Sequence, residues 1–194
     1  MAFATGVAFL AVAGIVAWRH WPRPIHVGTV PVHPASHVVN LGRETNTQPP
    51  SLLRIPALGV TALIEPVVIA QGVLGAPDNP KVLGWWADGA VPGSQRGSAV
   101  IDGHVDSAAS GPGALFQLRT LKPGDKVIVT EGQKTVEFEI AALREYPKAD
   151  LSSAGVFDQT VPGRLVLITC GGRFDYHKHS YDDNVVAFAV PKPT

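Results

Sequence analysis

Cysteine is nearly absent from this chain: Cys170 is the only one in 194 residues. A lone thiol forms no internal disulfide and no multi-cysteine zinc site. Charge is scarce as well. Asp, Glu, Lys and Arg make up 16% of the residues, against roughly 25% in ordinary soluble domains. The 16 basic and 16 acidic side chains cancel, which leaves no electrostatic footprint for nucleic acid. G-x-S-x-G, P-loop, H-E-x-x-H and C-x-x-C motifs are all missing, which removes serine hydrolases of that type, P-loop nucleotide hydrolases, zincins and dithiol redox enzymes. Turn formers, by contrast, are plentiful: 20 glycines and 17 prolines favour short elements over long helices.

The one long apolar run is residues 1–18, which carry no charge. As a helix it spans about 27 Å at 1.5 Å per residue, short but sufficient for a hydrocarbon core of about 30 Å. Trp18 and Trp21 suit the membrane interface, and Arg19, His20 and Arg23 end the run. Residues 1–21 therefore read as a single-pass anchor or an uncleaved signal. A cleaved signal peptide is the rival, but no basic residue precedes the run and no good cleavage site follows it. Taken alone, Arg19 and Arg23 would favour a cytoplasmic domain.

Residues 22–50 hold six prolines and no apolar period, and read as an extended linker. From residue 51 to 194 the pattern is all-β. Strands are expected at 52–55, 63–68, 98–103, 125–130, 134–146, 164–170 and 184–190, with short helices at 114–118 and 150–155. Lys122-Pro123-Gly124-Asp125 and Glu131-Gly132-Gln133 are turns, the second closing a hairpin. This spacing of strands suggests a closed barrel or a sandwich.

Cys170 ends the apolar run 164–170 and is followed by Gly171-Gly172. A strand end before two glycines exposes a thiol and admits a substrate backbone. A thiolate there attacks carbonyls when a neighbouring cation lowers its pKa. The alternative is a buried structural thiol. His104 ends the run 99–103 after a glycine; a His there can serve as a general acid to a leaving amine, the alternative being an ordinary polar residue in a turn. Asp102 and Asp106 flank it, either orienting the imidazole or facing water as turn acids. Thioester chemistry without a full triad calls for an arginine fork; after Cys170 the only one is Arg173, with Lys178 the only other cation nearby. His177, His179, Asp182 and Asp183 read as a solvated polar loop rather than a metal site. Trp85-Trp86 reads as core before ligand surface. No metal or cofactor is expected.

Together these residues resemble the sortase family, cysteine transpeptidases of Gram-positive surfaces. The likeness rests on Ile168-Thr169-Cys170, on Gly103-His104, on 53–60 with 64–67, on Val82-Leu83-Gly84-Trp85, and on 115–118 followed by 121–125. The Cys170-Gly171-Gly172-x-Phe174-Asp175 stretch and Asp183-Asn184-Val185-Val186 are most similar to the class F, actinobacterial group. The resemblance covers about residues 51–190. It implies an eight-stranded sortase barrel behind a membrane anchor, with the catalytic domain extracytoplasmic. It implies that Cys170 attacks a Thr–Gly bond in an LPXTG-like sorting signal and that His104 protonates the leaving amine. An amine of a cell-wall precursor or a pilin then resolves the thioester. Thr169 and Asn184 are the implied substrate contacts.

One departure stands out. The family's arginine lies in the last strand, 9–13 residues after the cysteine, and 180–185 here contain none. Arg173 folding back, or another donor such as Asn184 or Lys178, are the competing replacements; a weak or inactive surface binding module is the remaining reading. An L,D-transpeptidase would need a Ser-His-Gly-Cys cluster, which is missing, and a papain-like protease has its Cys before its His.

Overall fold

The structure, a computed structural model, describes residues 24–32 and 48–192. Among these residues thirteen strands occur in chain order. They are β1 (His26–Gly28), β2 (Leu52–Ile55), β3 (Val60–Val67), the small pair β4 (Ile69–Ala70) and β5 (Val73–Leu74), then β6 (Leu83–Trp86) and β7 (Ser98–Asp102). A second small pair, β8 (Asp106–Ser107) and β9 (Gly111–Pro112), precedes β10 (Lys126–Glu131), β11 (Lys134–Pro147), β12 (Arg164–Asp175) and β13 (Ser180–Pro191). The main sheet runs β1-β11-β10-β2-β3-β6-β7-β12-β13, and β13 also pairs with β11. That last pairing closes an eight-stranded barrel, with β1 added outside it. Closure removes the unpaired edges that an open sheet would expose. Only β3–β6 and β7–β12 are parallel within it.

Strand alternation explains the two apolar layers. Inward residues such as Leu53, Ile55, Ile101, Phe138, Leu165, Leu167 and Ala187 fill the barrel. The alternate residues Val100, Val166, Ile168, Val186 and Phe188 face outward, yet they too are buried. Their cover is the 148–158 segment, through Leu151, Ala154, Val156 and Phe157, together with Val30. This outer layer makes β12 and β13 apolar on both faces, so 164–170 reads as an unbroken hydrophobic run.

The expected short helices at 114–118 and 150–155 are not α-helices. The described residues contain three 3₁₀ turns instead, at Pro56–Leu58, Leu118–Thr120 and Lys148–Asp150. Stretches of five or six residues cannot offset the cost of helix nucleation, and flanking Gly113 and Pro147 shorten them further. The apolar 1–18 run, read as an N-terminal helix, lies outside the described residues; among those described, no helix is long and apolar enough to cross a membrane.

Part of the expected linker is ordered against the barrel. β1 pairs with Ala142–Arg144 of β11. Arg144 donates to the carbonyls of Val27 and Gly28, both at 2.6 Å. The Ile25 N–H donates to the Glu145 carboxylate at 3.2 Å. Arg164, almost fully buried, donates to the Pro31 carbonyl at 2.9 Å and to Ser98 Oγ at 2.9 Å, and also to the Gly155 carbonyl. One guanidinium thus joins the strap, the barrel and the outer cover. Composition alone misses this, because the strap is held by its backbone and by distant arginines rather than by its own apolar period.

Candidate active site

The β7–β12 pairing builds the site. Its parallel register matches Leu167 with Ile101 and Ile168 with Asp102, and the Gly103 N–H donates to the Ile168 carbonyl at 3.1 Å. His104 and Cys170 each follow two residues after the Asp102–Ile168 pair. Thr169 points inward and is buried; its Oγ1 donates to the Gly103 carbonyl at 2.8 Å. The residue before the cysteine therefore holds the residue before the histidine. Cys170 is half-buried and free of any disulfide.

On its other side β12 pairs with β13, setting Cys170 opposite Asn184, and β13 sets Asn184 opposite Tyr146 of β11. Directly opposed residues share a face, so Tyr146, Asn184 and Cys170 form one rung on the outward face. Asn184 is 8% exposed. The same face carries Ile168 and Val186 beneath it, walled by Phe157 and Leu151. Cys170 therefore sits at the border of this covered apolar layer.

The cationic candidates lie farther out. After Gly171 the β12–β13 register slips through a bulge before resuming at Phe174 opposite Tyr181. Arg173 sits in that bulge, exposed, and its Nε donates to Asp182 at 3.2 Å. Lys178, also exposed, turns back onto Asp175 at 3.2 Å. Asp175 further accepts the N–H groups of His177 and Lys178, and these backbone donors hold its carboxyl below the usual range. The expected 176–183 loop is accordingly shorter: the turn is 176–179, and β13 starts at Ser180. Polar residues at a strand end carry no apolar alternation to reveal them. Among the described residues no three of His, Cys, Asp or Glu converge as a metal site requires.

The two glycines after Cys170 have a packing role. A Cβ on Gly171 would lie 2.6 Å from a Val185 methyl, and one on Gly172, whose φ is +74°, would lie 2.2 Å from the Asp183 carboxylate. Their missing side chains make room for β13.

Neither acid flanking His104 is a free turn residue. Asp102 lies on the outward face, with Oδ1 buried over Gly84 and no hydrogen-bond partner; burial pushes its carboxyl up to about 7. Asp106 accepts a 2.6 Å hydrogen bond from the Tyr181 hydroxyl. Tyr181 was not legible as a site residue, since it lay within a stretch read as solvated loop. Burial first, then Asp106, then the nearby Cys170, push its phenol up to about 12. Of the tryptophans, Trp85 is core and donates to the Ala90 carbonyl; Trp86 packs edge-on to Phe157 at 5.5 Å.

The family model described as the sortase domain matches residues 53–192. The chain belongs to the sortase family. Solved sortases share its fold at low identity. Sortase A from Corynebacterium diphtheriae, a lid mutant, is 19% identical with a TM-score of 0.58, covering 81% of this chain and 77% of that one. Sortase E1 from Streptomyces coelicolor, with a tripeptide in the active site, is 21% identical with a TM-score of 0.57, covering 76% and 90%. The Clostridium perfringens sortase D5 transpeptidase is 19% identical with a TM-score of 0.57, covering 75% and 79%. No curated protein matches the sequence significantly. Family membership makes this sortase a cysteine transpeptidase in general terms.

Proposed function

We propose that this sortase is a class F-like, membrane-anchored enzyme that cleaves an LPXTG-like sorting signal between Thr and Gly, its domain extracytoplasmic on the residue 1–21 anchor. The observation that supports the reading is the parallel register of β7 against β12, which pairs Asp102 with Ile168, each two residues before His104 and Cys170, although β12 itself runs on past Cys170 to Asp175. The Cys170 thiolate attacks the Thr carbonyl carbon, forming the S–C bond. Collapse breaks the C–N bond, and His104 gives a proton to the departing Gly amine. An amine of a cell-wall precursor or a pilin then attacks the thioester, releasing the thiolate and returning a proton to His104.

Asn184 is the donor best sited for the developing oxyanion, opposite Cys170 and nearly buried, because a fixed amide N–H in a dry site stabilises such charge strongly. Arg173 serves as an outer substrate clamp, and Thr169 contributes by holding Gly103. The absence of a last-strand arginine and the Arg173–Asp182 ion pair favour a second reading, a weak or inactive binding module. Incubation with an LPXTG peptide decides between them. The active enzyme gives a protein mass increased by the acyl fragment, lost in Cys170→Ala, and His104→Ala abolishes turnover. No adduct on the wild type, or full transpeptidation by Cys170→Ala, would sink the proposal.

A further inference from the structure

The segment carrying His104 is fastened at three points. Before it, the Gly103 carbonyl accepts from Thr169 of β12. After it, the Val105 carbonyl accepts the Gly113 N–H at 2.8 Å. Next, the Asp106 carboxylate accepts the Tyr181 hydroxyl of β13 at 2.6 Å. The first and third anchors come from β12, which carries Cys170, and from β13, which pairs with it. Tyr181 is itself immobilised: its ring meets Phe174 edge-on at 5.1 Å, and Phe174 meets Tyr176 at 5.1 Å. A phenol held this way loses little rotamer freedom in making its bond.

We propose that the Tyr181–Asp106 hydrogen bond is a latch that sets His104 relative to Cys170, making Tyr181 and Asp106 positioning residues for the reaction. The proposal rests on the reading that Cys170 and His104 work as a pair. The backbone between Gly103 and Asp106 is short, so a bond at its far end limits where the imidazole stands, and misplacement by about 1 Å can cost about a hundred-fold in rate. A hydrogen bond to a charged acceptor is among the stronger kinds, which suits a part whose task is to fix geometry.

The test reads the pair without a peptide. Iodoacetamide alkylates the thiolate with loss of iodide, so the pH profile of Cys170 alkylation reports how His104 bears on the sulfur. The profile is measured for the wild type, His104→Ala, Tyr181→Phe, Asp106→Asn and the His104→Ala/Tyr181→Phe double variant. A working latch makes Tyr181→Phe and Asp106→Asn each move the profile toward that of His104→Ala. The double variant then matches His104→Ala alone. With an LPXTG peptide, kcat falls roughly ten-fold while KM stays close to wild type, as loss of one charged hydrogen bond predicts. Tyr181→Phe removes a single oxygen and keeps the ring on Phe174, so it carries the test even where Asp106→Asn fails to fold. If His104→Ala shifts the profile and neither latch variant does, the latch is wrong. The same follows if Tyr181→Phe changes the His104→Ala protein as much as the wild type, since the phenol then acts on the sulfur directly. If His104→Ala leaves the profile unchanged, the Cys170–His104 pairing itself fails.

Discussion

Thr169 donates its hydroxyl hydrogen to the carbonyl of Gly103, a buried bond of 2.8 Å between residues 66 apart in sequence. Each partner directly precedes a proposed catalytic residue, Cys170 in one case and His104 in the other. Through that bond, strand pairing ties the segment of the proposed nucleophile to the segment of the proposed acid.

Thr169→Val keeps the shape and removes the donor, leaving a buried carbonyl unpaired. Destabilisation of about 1–3 kcal/mol is expected, measured by urea unfolding, with a fall in thioester formation beyond what the lost stability explains. Thr169→Ser, which restores the hydroxyl, should recover most of the rate. Equal rates for Val and wild type would show that the bond does not position the pair.

Asn184 and Arg173 make separable predictions. If the Asn184 amide stabilises the oxyanion, Asn184→Ala lowers kcat by about 10²–10³ with KM little changed. Arg173→Lys keeps the charge and loses the planar fork, so a substrate clamp shows a raised KM in steady-state kinetics. An unchanged kcat/KM in Arg173→Lys would remove Arg173 from the site.

Arg164 joins three pieces of the fold and lies over the Phe188 ring at 5.1 Å. Arg164→Ala strips donors from the Pro31 and Gly155 carbonyls and from Ser98, with an expected loss of about 3 kcal/mol. Limited proteolysis should then release the 24–32 strap before the barrel unfolds. A strap as resistant as in the wild type would contradict this.

Asp102 predicts a pH dependence. Burial raises its carboxyl from the ordinary 3.8 to about 7, so the folded chain favours the protonated form. The stability this represents is complete below about pH 4 and is lost as pH rises through 7. Glu131, held at about 7 chiefly by burial, behaves likewise. Asp102→Asn, neutral throughout, should flatten the decline in urea midpoint between pH 5 and 8, with Glu131 supplying the slope that remains. An unaltered slope would exclude Asp102 as its source.

Much of the barrel was legible because its strands follow simple rules. Leu52–Ile55 matches its expected limits, and the hairpin that turns at Gly132 lies within one residue of its own. Turn residues and apolar runs suffice for such local elements. β6 was missed as a strand: its four residues, Leu-Gly-Trp-Trp, are too short and too uniformly buried to alternate. The helices expected at 114–118 and 150–155 failed because a propensity summed over five residues is too weak to hold a helix.

The sequence by itself determined the order of the reactive candidates, His104 then Cys170, and that each closes an apolar run, since both are properties of the linear pattern. Only the tertiary structure decided which strands lie side by side, and with that the neighbours of Cys170. It set Asn184 across from the thiol, turned Arg173 toward Asp182, and brought Tyr181 to Asp106. Register between distant strands is fixed by burial on both faces of the sheet at once, a condition that exists only when the barrel has closed.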